Sequence, residues 1–289
     1  MSSLRERPDD PDALDGVVSA LREQADLLGG SIDDADVADA ATIDGLVTRI
    51  VDRKLALQEL DPRAVRRRSL AELAHVGLAP VPERVPTVLD AYAGRRRTAE
   101  DAVDRVRALM GVLHAVHGAK VLDVATSLKQ RGLGPWLTPG ERQFLTLLIQ
   151  HPEREAEIQS HRISIARRVE GLHALGWALG LLPDLLPTGF SRVPPEVFAP
   201  VGPAAAAGAP TELALRDQGE LLARLDVLTC AHRAVQEHEV GGSTGPLPRD
   251  VVPRAIAERR RALEWLLGTE SWDEIEIDTD GRVRVVGSR

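Results

Sequence analysis

The sequence predicts a mainly α-helical protein, a multi-helix globular domain with an N-terminal helical hairpin and a C-terminal β-hairpin. Three observations carry that prediction. Apolar residues recur three and four apart through most of the chain, the spacing of one helix face. Helix-start signals punctuate the pattern, above all Thr98-x-x-Asp101 and Thr138-Pro139-Gly140-Glu141. Only the tail, SWDEIEIDTDGRVRVVG, alternates strongly as a strand does.

Composition narrows the class further. At 43% hydrophobic and 28% charged, the chain matches ordinary globular proteins. Its 289 residues can build one large core or two smaller ones. A net charge of -8 argues against general binding to nucleic acid or anionic membranes. One cysteine, Cys230, leaves no internal disulfide to form and fits a reducing compartment. The opening MSSLRERPDDPD lacks the apolar stretch of a signal peptide, and no run of 18 apolar residues occurs. A cytoplasmic location is expected. Arginine outnumbers lysine heavily, which is the mark of a GC-rich genome and not of a function.

Taken in order, residues 1–60 read as an N-terminal amphipathic helical extension and 61–289 as the main helical domain. Asp12 caps a helix over 13–28, with Leu14, Val17, Leu21, Ala25 and Leu28 on one face. A second helix over 36–59 carries Ile43, Leu46, Val47, Ile50 and Leu57, and Asp61-Pro62 breaks it. Such a hairpin packs on the main domain or serves as a dimerisation or docking arm. A basic helix follows over 62–76, then a proline-rich extended segment over 79–87. Thr98 opens a helix with core stripe Ala102, Val106, Leu109, Leu113 and Val116, and another covers 120–130. The Thr138 capping box starts a helix that stops at Gln150, before Pro152.

Residues 160–182 read as one central helix, apolar on every side from Gly171 onward and therefore buried. A proline-rich irregular loop spans 187–210. Helices follow over 212–238 and 251–267, the second capped by Asp250. In the tail, a three-residue Thr279-Asp280-Gly281 loop sets a β-hairpin over 274–286 that pairs Ile277 with Val283 and Ile275 with Val285.

Charges in apolar stripes mark the candidate site. Glu170 and His173 stand in the stripe of Ala166 and Trp177. Asp226 and Arg233 lie seven apart beside Leu222 and Leu225, with His232 adjacent. Arg259 and Arg260 flank Ile256 and Leu263. A buried carboxylate needs a partner, and the guanidinium fork suits it. Glu170 or Asp226 is therefore expected to pair with Arg259 or Arg260. Glu170, His173, Asp226, His232, Arg259 and Arg260 form either a structural network or a pocket for a small polar ligand.

Other chemistry is weakly signalled. Glu170-x-x-His173 is only one part of a di-iron motif, and the Asp278–Gly281 stretch lacks the glutamate that closes a calcium loop. His114-x-x-His117 has no carboxylate spaced to join it. No metal or cofactor is expected. Residues two apart on a helix diverge, so Cys230 and His232 are no dyad. No serine sits in a G-x-S-x-G elbow between a strand and a helix, and no P-loop or G-x-G-x-x-G occurs. The runs Arg66–Arg68 and Arg95–Arg97 lack interleaved aromatics and read as solvated or acid-contacting surface.

From about 66 to 278 the chain resembles a bacterial family known as domain-of-unknown-function family 4272. The resemblance rests on Thr-Pro-Gly-Glu-Arg at 138–142, and on Arg168, Glu170, Leu175, Trp177, Leu179 and Gly180. It continues with Leu225, Asp226, His232, Glu258-Arg259, Ala262-Leu263, Trp265, Trp272-Asp273 and Asp278-Thr279. The family pattern is aromatic near His232, where this chain has Thr229-Cys230-Ala231. The resemblance implies a mainly helical cytoplasmic bacterial protein and no activity. The expected role is a non-catalytic protein-interaction or scaffolding module contacting a protein through its N-terminal helices. The alternative is a ligand-binding protein or enzyme using Glu170, His173, Asp226, His232 and Arg259.

Overall fold

A computed structural model describes residues 61–78, 88, 97–202, 213–239 and 246–275. These form eight α-helices and two 3₁₀ turns. The α-helices are α1 (Pro62–His75), α2 (Ala99–Val116), α3 (Val121–Gln130), α4 (Pro139–Gln150), α5 (Glu155–Ala166), α6 (Val169–Ala178), α7 (Gln218–Glu237) and α8 (Pro253–Leu267). The 3₁₀ turns are Gly134–Trp136 and Pro195–Val201. The expected hairpin over 1–60 lies outside the described residues.

Helix α6 is the axis. Every residue from Glu170 to Ala178 is buried. It packs most extensively against α8, and α2 touches it from another side. Helix α7 bridges α8 to α1. Two glycines let α6 approach its neighbours closely. A Cβ at Gly171 would meet the Trp272 ring at 2.8 Å, and one at Gly176 would meet Phe198 at 2.6 Å. One large apolar core runs under α2, α4, α6 and α8, and a smaller one joins α1, α7 and the start of α8.

Four expectations need correction. The expected central helix is two helices, broken at Arg167-Arg168. There Arg168 N–H donates to Ile165 and Glu170 N–H to Arg167, i→i−3 bonds that tighten the turn. The break separates a half-exposed α5 from a buried α6 and turns the Arg168 side chain toward α4. The proline-rich loop is not irregular throughout. Its 3₁₀ turn buries Phe198 and Val201 in the main core, and residues 203–210 lie outside the described set. Asp250 is not the cap of α8, whose N-cap is Val252 with no side-chain bond.

The C-terminal β-hairpin is the fourth. Among the described residues there is no strand, and the two of its positions that are described, 274 and 275, lie in a turn. Glu274 caps Ser271 by accepting its N–H at 3.1 Å. Trp272 and Ile275 are both buried in the helical core. An apolar pair three apart with a capping glutamate suits a turn docked on helices as well as it suits an alternating strand, and burial decided between them. Residues 276–286 lie outside the described set.

Candidate functional site

Three buried ionic networks organise the interior. The first joins α6 to α8 and to the loop between α6 and the Pro195–Val201 turn. Glu170 Oε2 accepts from Arg259 Nε at 3.0 Å and Nη2 at 2.6 Å. Arg259 is fully buried. Its remaining hydrogens go to the loop, to the carbonyls of Leu186 at 2.6 Å, Thr188 at 3.4 Å and Gly189 at 2.7 Å, and to Ser191 Oγ at 2.9 Å. Ser191 N–H closes the circuit on Glu170 Oε1 at 3.1 Å. All five N–H donors of Arg259 are thereby engaged. The loop can take this course because Gly189 sits at φ +75°, close against the Asp250 carbonyl.

His173 lies one turn along α6. Its Nδ1 is 3.6 Å from Glu170 Oε2, too long for a hydrogen bond, so the contact is electrostatic only. Its ring stacks on Phe198 at 6.2 Å. Burial raises the Glu170 pKa, but His173 and Arg259 outweigh it and hold the group below its ordinary value.

The second network is separate. Asp226, fully buried on α7, faces α1 and not α8. It accepts from Arg66 Nη2 at 2.8 Å and Nε at 3.1 Å, and from Ser69 Oγ at 2.8 Å. Of the expected pairings, Glu170 with Arg259 forms and Asp226 with Arg259 or Arg260 does not. The reason is helix phase. The face of α7 that carries Asp226 packs on α1. Arg260 instead binds Glu264 at 2.7 Å and His232 Nδ1 at 2.8 Å. Arg233 pairs with Glu237 on its own helix. Cys230 lies 3.8 Å from Asp226, and burial together with that carboxylate pushes its thiol up to about 12.

The third network was not foreseen. Glu141, at the third position of α4, has no solvent exposure. Its Oε2 accepts from Thr138 N–H at 2.9 Å and Arg105 Nη1 at 2.7 Å. Its Oε1 accepts from Arg105 Nη2 at 2.8 Å and Arg168 Nη1 at 2.7 Å. Arg168 also reaches Asp273 Oδ1 at 2.9 Å, and Asp273 Oδ2 accepts from Gly140 N–H at 3.3 Å. Burial alone would raise the Glu141 pKa. The Arg105 and Arg168 guanidiniums and the Thr138 N–H override it and bring it down to about 2. One residue thus closes the capping box and bridges α2, α4 and the α5–α6 break. The sequence held one signal for it. Arg105 lies three after Ala102 and four before Leu109, inside the buried stripe of α2.

The sequence model described as Domain of unknown function (DUF4272) matches residues 65–275, most of the chain. The chain belongs to that family. All three networks fall inside the DUF4272 segment. No curated protein and no solved structure matches the chain. Among the described residues of the DUF4272 domain, no three His, Cys, Asp or Glu side chains gather as a metal site, and no helix is long and apolar enough to cross a membrane. Among the cavities lined by described residues are two that none of the six expected site residues lines. One, of about 190 Å³, lies between α2 and α3 beside Arg107, His114 and Asp123. The other, of about 290 Å³, lies beside the Glu141 network.

Proposed function

We propose that this protein is a non-catalytic interaction or scaffolding module whose contact surfaces are its N-terminal segment and the loop held by Arg259. The observation that carries this reading is the closed hydrogen-bond inventory of Arg259. With every donor engaged by Glu170 and the loop, the pair has no capacity left to hold or activate a substrate, and its effect is to fix a backbone. The loop so fixed presents Leu186 at 50% and Phe190 at 65% exposure, two large apolar side chains facing water. A pre-organised loop presenting an aromatic side chain binds with little ordering cost. The apolar stripes expected over 13–28 and 36–59 supply a second apolar surface. The partner is a protein, self or heterologous, and the setting is the bacterial cytoplasm, a reading supported by the single buried cysteine.

The test compares full-length protein with two double variants, Leu186→Ser/Phe190→Ser and Leu46→Glu/Ile50→Glu. Oligomeric state is read by light scattering and partner capture by pull-down and mass spectrometry. The expected result is a stoichiometric assembly lost in at least one variant, with the helical circular-dichroism signal unchanged. If neither variant alters assembly or capture, the reading fails.

A further inference from the structure

Three of the chain's four tryptophans converge on the cavity of about 290 Å³ beside the Glu141 network. Trp136 and Trp265 meet edge to face at 6.3 Å, and Trp265 and Trp272 pack at 5.8 Å. The chain is only 3% aromatic, so this gathering is local and not a general property of the core. Trp265 and Trp272 are buried, whereas Trp136 is only partly covered and lines the cavity. A partly covered indole beside two buried ones is a stacking surface for another flat ring.

The same wall carries an excess of positive charge. Arg97, Arg105 and Arg142 all line it. Arg97 stacks over Trp265 at 4.4 Å and donates to the carbonyls of Trp265, Gly268, Thr269 and Glu270, capping the end of α8. Arg142 donates through Nη1 to the carbonyls of Leu137 and Gly134. Neither arginine has a carboxylate in salt-bridge reach among the described residues. Glu141 is shared between Arg105 and Arg168, and Asp273, the one acid on the wall, is already bonded to Arg168 and the Gly140 N–H. Arg142 is exposed, and its Nε and Nη2 have no acceptor among the described residues. Those two atoms form the fork that fits two carboxylate oxygens. The N-terminus of α4 at Thr138-Pro139 opens on the same cavity and adds its positive dipole.

We propose that this cavity binds a small aromatic acid, one ring against Trp136 and Trp265 with its carboxylate on the Arg142 fork. The volume sits at the lower edge of ligand pockets, about 300 Å³, which admits one ring and its acidic head and excludes a dinucleotide. The neighbouring Arg97 guanidinium adds long-range attraction. Burial lowers its pKa, opposed only by Asp101, and the guanidinium keeps its charge. The inference is independent of the interaction reading above, and its failure leaves that reading untouched.

The test titrates full-length protein with benzoate by calorimetry and tryptophan emission. Benzamide (the ring without the charge) and acetate (the charge without the ring) run beside it. Benzoate is expected to saturate below roughly 10 mM, the weak end expected for a ligand of one ring. Benzamide, acetate and the Arg142→Met variant are each expected to bind at least about tenfold more weakly, the loss of one charge-assisted contact or one stacked ring. Trp136→Leu should weaken benzoate and abolish the change in emission. Absence of saturation, equal binding of acetate, or an unchanged affinity in a folded Arg142→Met protein would each overturn the proposal. The wild-type comparison of the three probes decides the matter even if a variant fails to fold.

Discussion

The Glu170–Arg259 and Glu141–Arg105–Arg168 networks are both buried, both join helices, and differ in their balance. At Glu170 one carboxylate meets one guanidinium, and backbone carbonyls absorb the surplus donors. At Glu141 one carboxylate is shared by two guanidiniums, Asp273 takes a further contact of Arg168, and two more arginines, Arg97 and Arg142, line the adjacent cavity. The balanced network ends in a loop that it holds rigid. The other borders a cavity on which Arg142 keeps Nε and Nη2 without an acceptor among the described residues. A buried ion pair therefore gives no information on function by its presence. A charged donor left facing a cavity does, because a ligand oxygen can reach it.

The largest effect expected from breaking this contrast is at Glu141. Glu141→Gln leaves the buried Arg105 without a carboxylate and Arg168 with Asp273 alone, which should cost about 3–5 kcal/mol in urea denaturation. The pH dependence follows from the same group. Its folded pKa, about 2, lies below the ordinary 4.5, so its stabilisation is fully present above pH 4.5. It is lost as pH falls from there to about 2, an effect of roughly 3 kcal/mol. Glu141→Gln should flatten the stability profile in that acid window, and a variant with an unchanged profile would show that the carboxylate is not the group titrating.

A smaller effect sharpens the other half of the comparison. Arg259→Met strands the Glu170 carboxylate and should destabilise by about 3 kcal/mol, whereas the Glu170→Gln/Arg259→Met double variant should recover at least about 1 kcal/mol of that loss. The Ser191 amide should lose protection from hydrogen exchange in both, because its acceptor is changed or released. Simple additivity in the cycle would mean that the two side chains are not coupled. The smallest effect is at Cys230. With its thiol pushed up to about 12 and its side chain buried, alkylation at pH 8 should be at least about tenfold slower in the native protein than in urea. Equal rates would place it at the surface.

Local signals located most of the helices. The capping boxes at Thr98 and Thr138 form as read, with both reciprocal bonds present in each. The stripe of Ala102, Val106 and Leu109 is buried. The Glu170 to Arg259 pair was within reach because each charge interrupts an apolar face and so must find a partner. The partner of Asp226 was not, since a stripe on α7 says only that it is covered and not by which helix. Reading 160–182 as one helix failed for a related reason. Periodicity continues through Arg167-Arg168, and the break there accompanies the contact of Arg168 with Glu141, 27 positions away in sequence.

By itself, then, the sequence determined that the chain is helical, where most of its helices begin, which faces are apolar and which charges are too costly to bury alone. These follow from hydrogen-bond patterns and burial costs within one or two turns. Only the tertiary structure decided which acid meets which arginine, that the tail docks Trp272 and Ile275 into a helical core, and that three tryptophans from distant segments share one wall. Those outcomes depend on how helix faces are phased against one another, and that phase is fixed by packing between segments far apart in the chain.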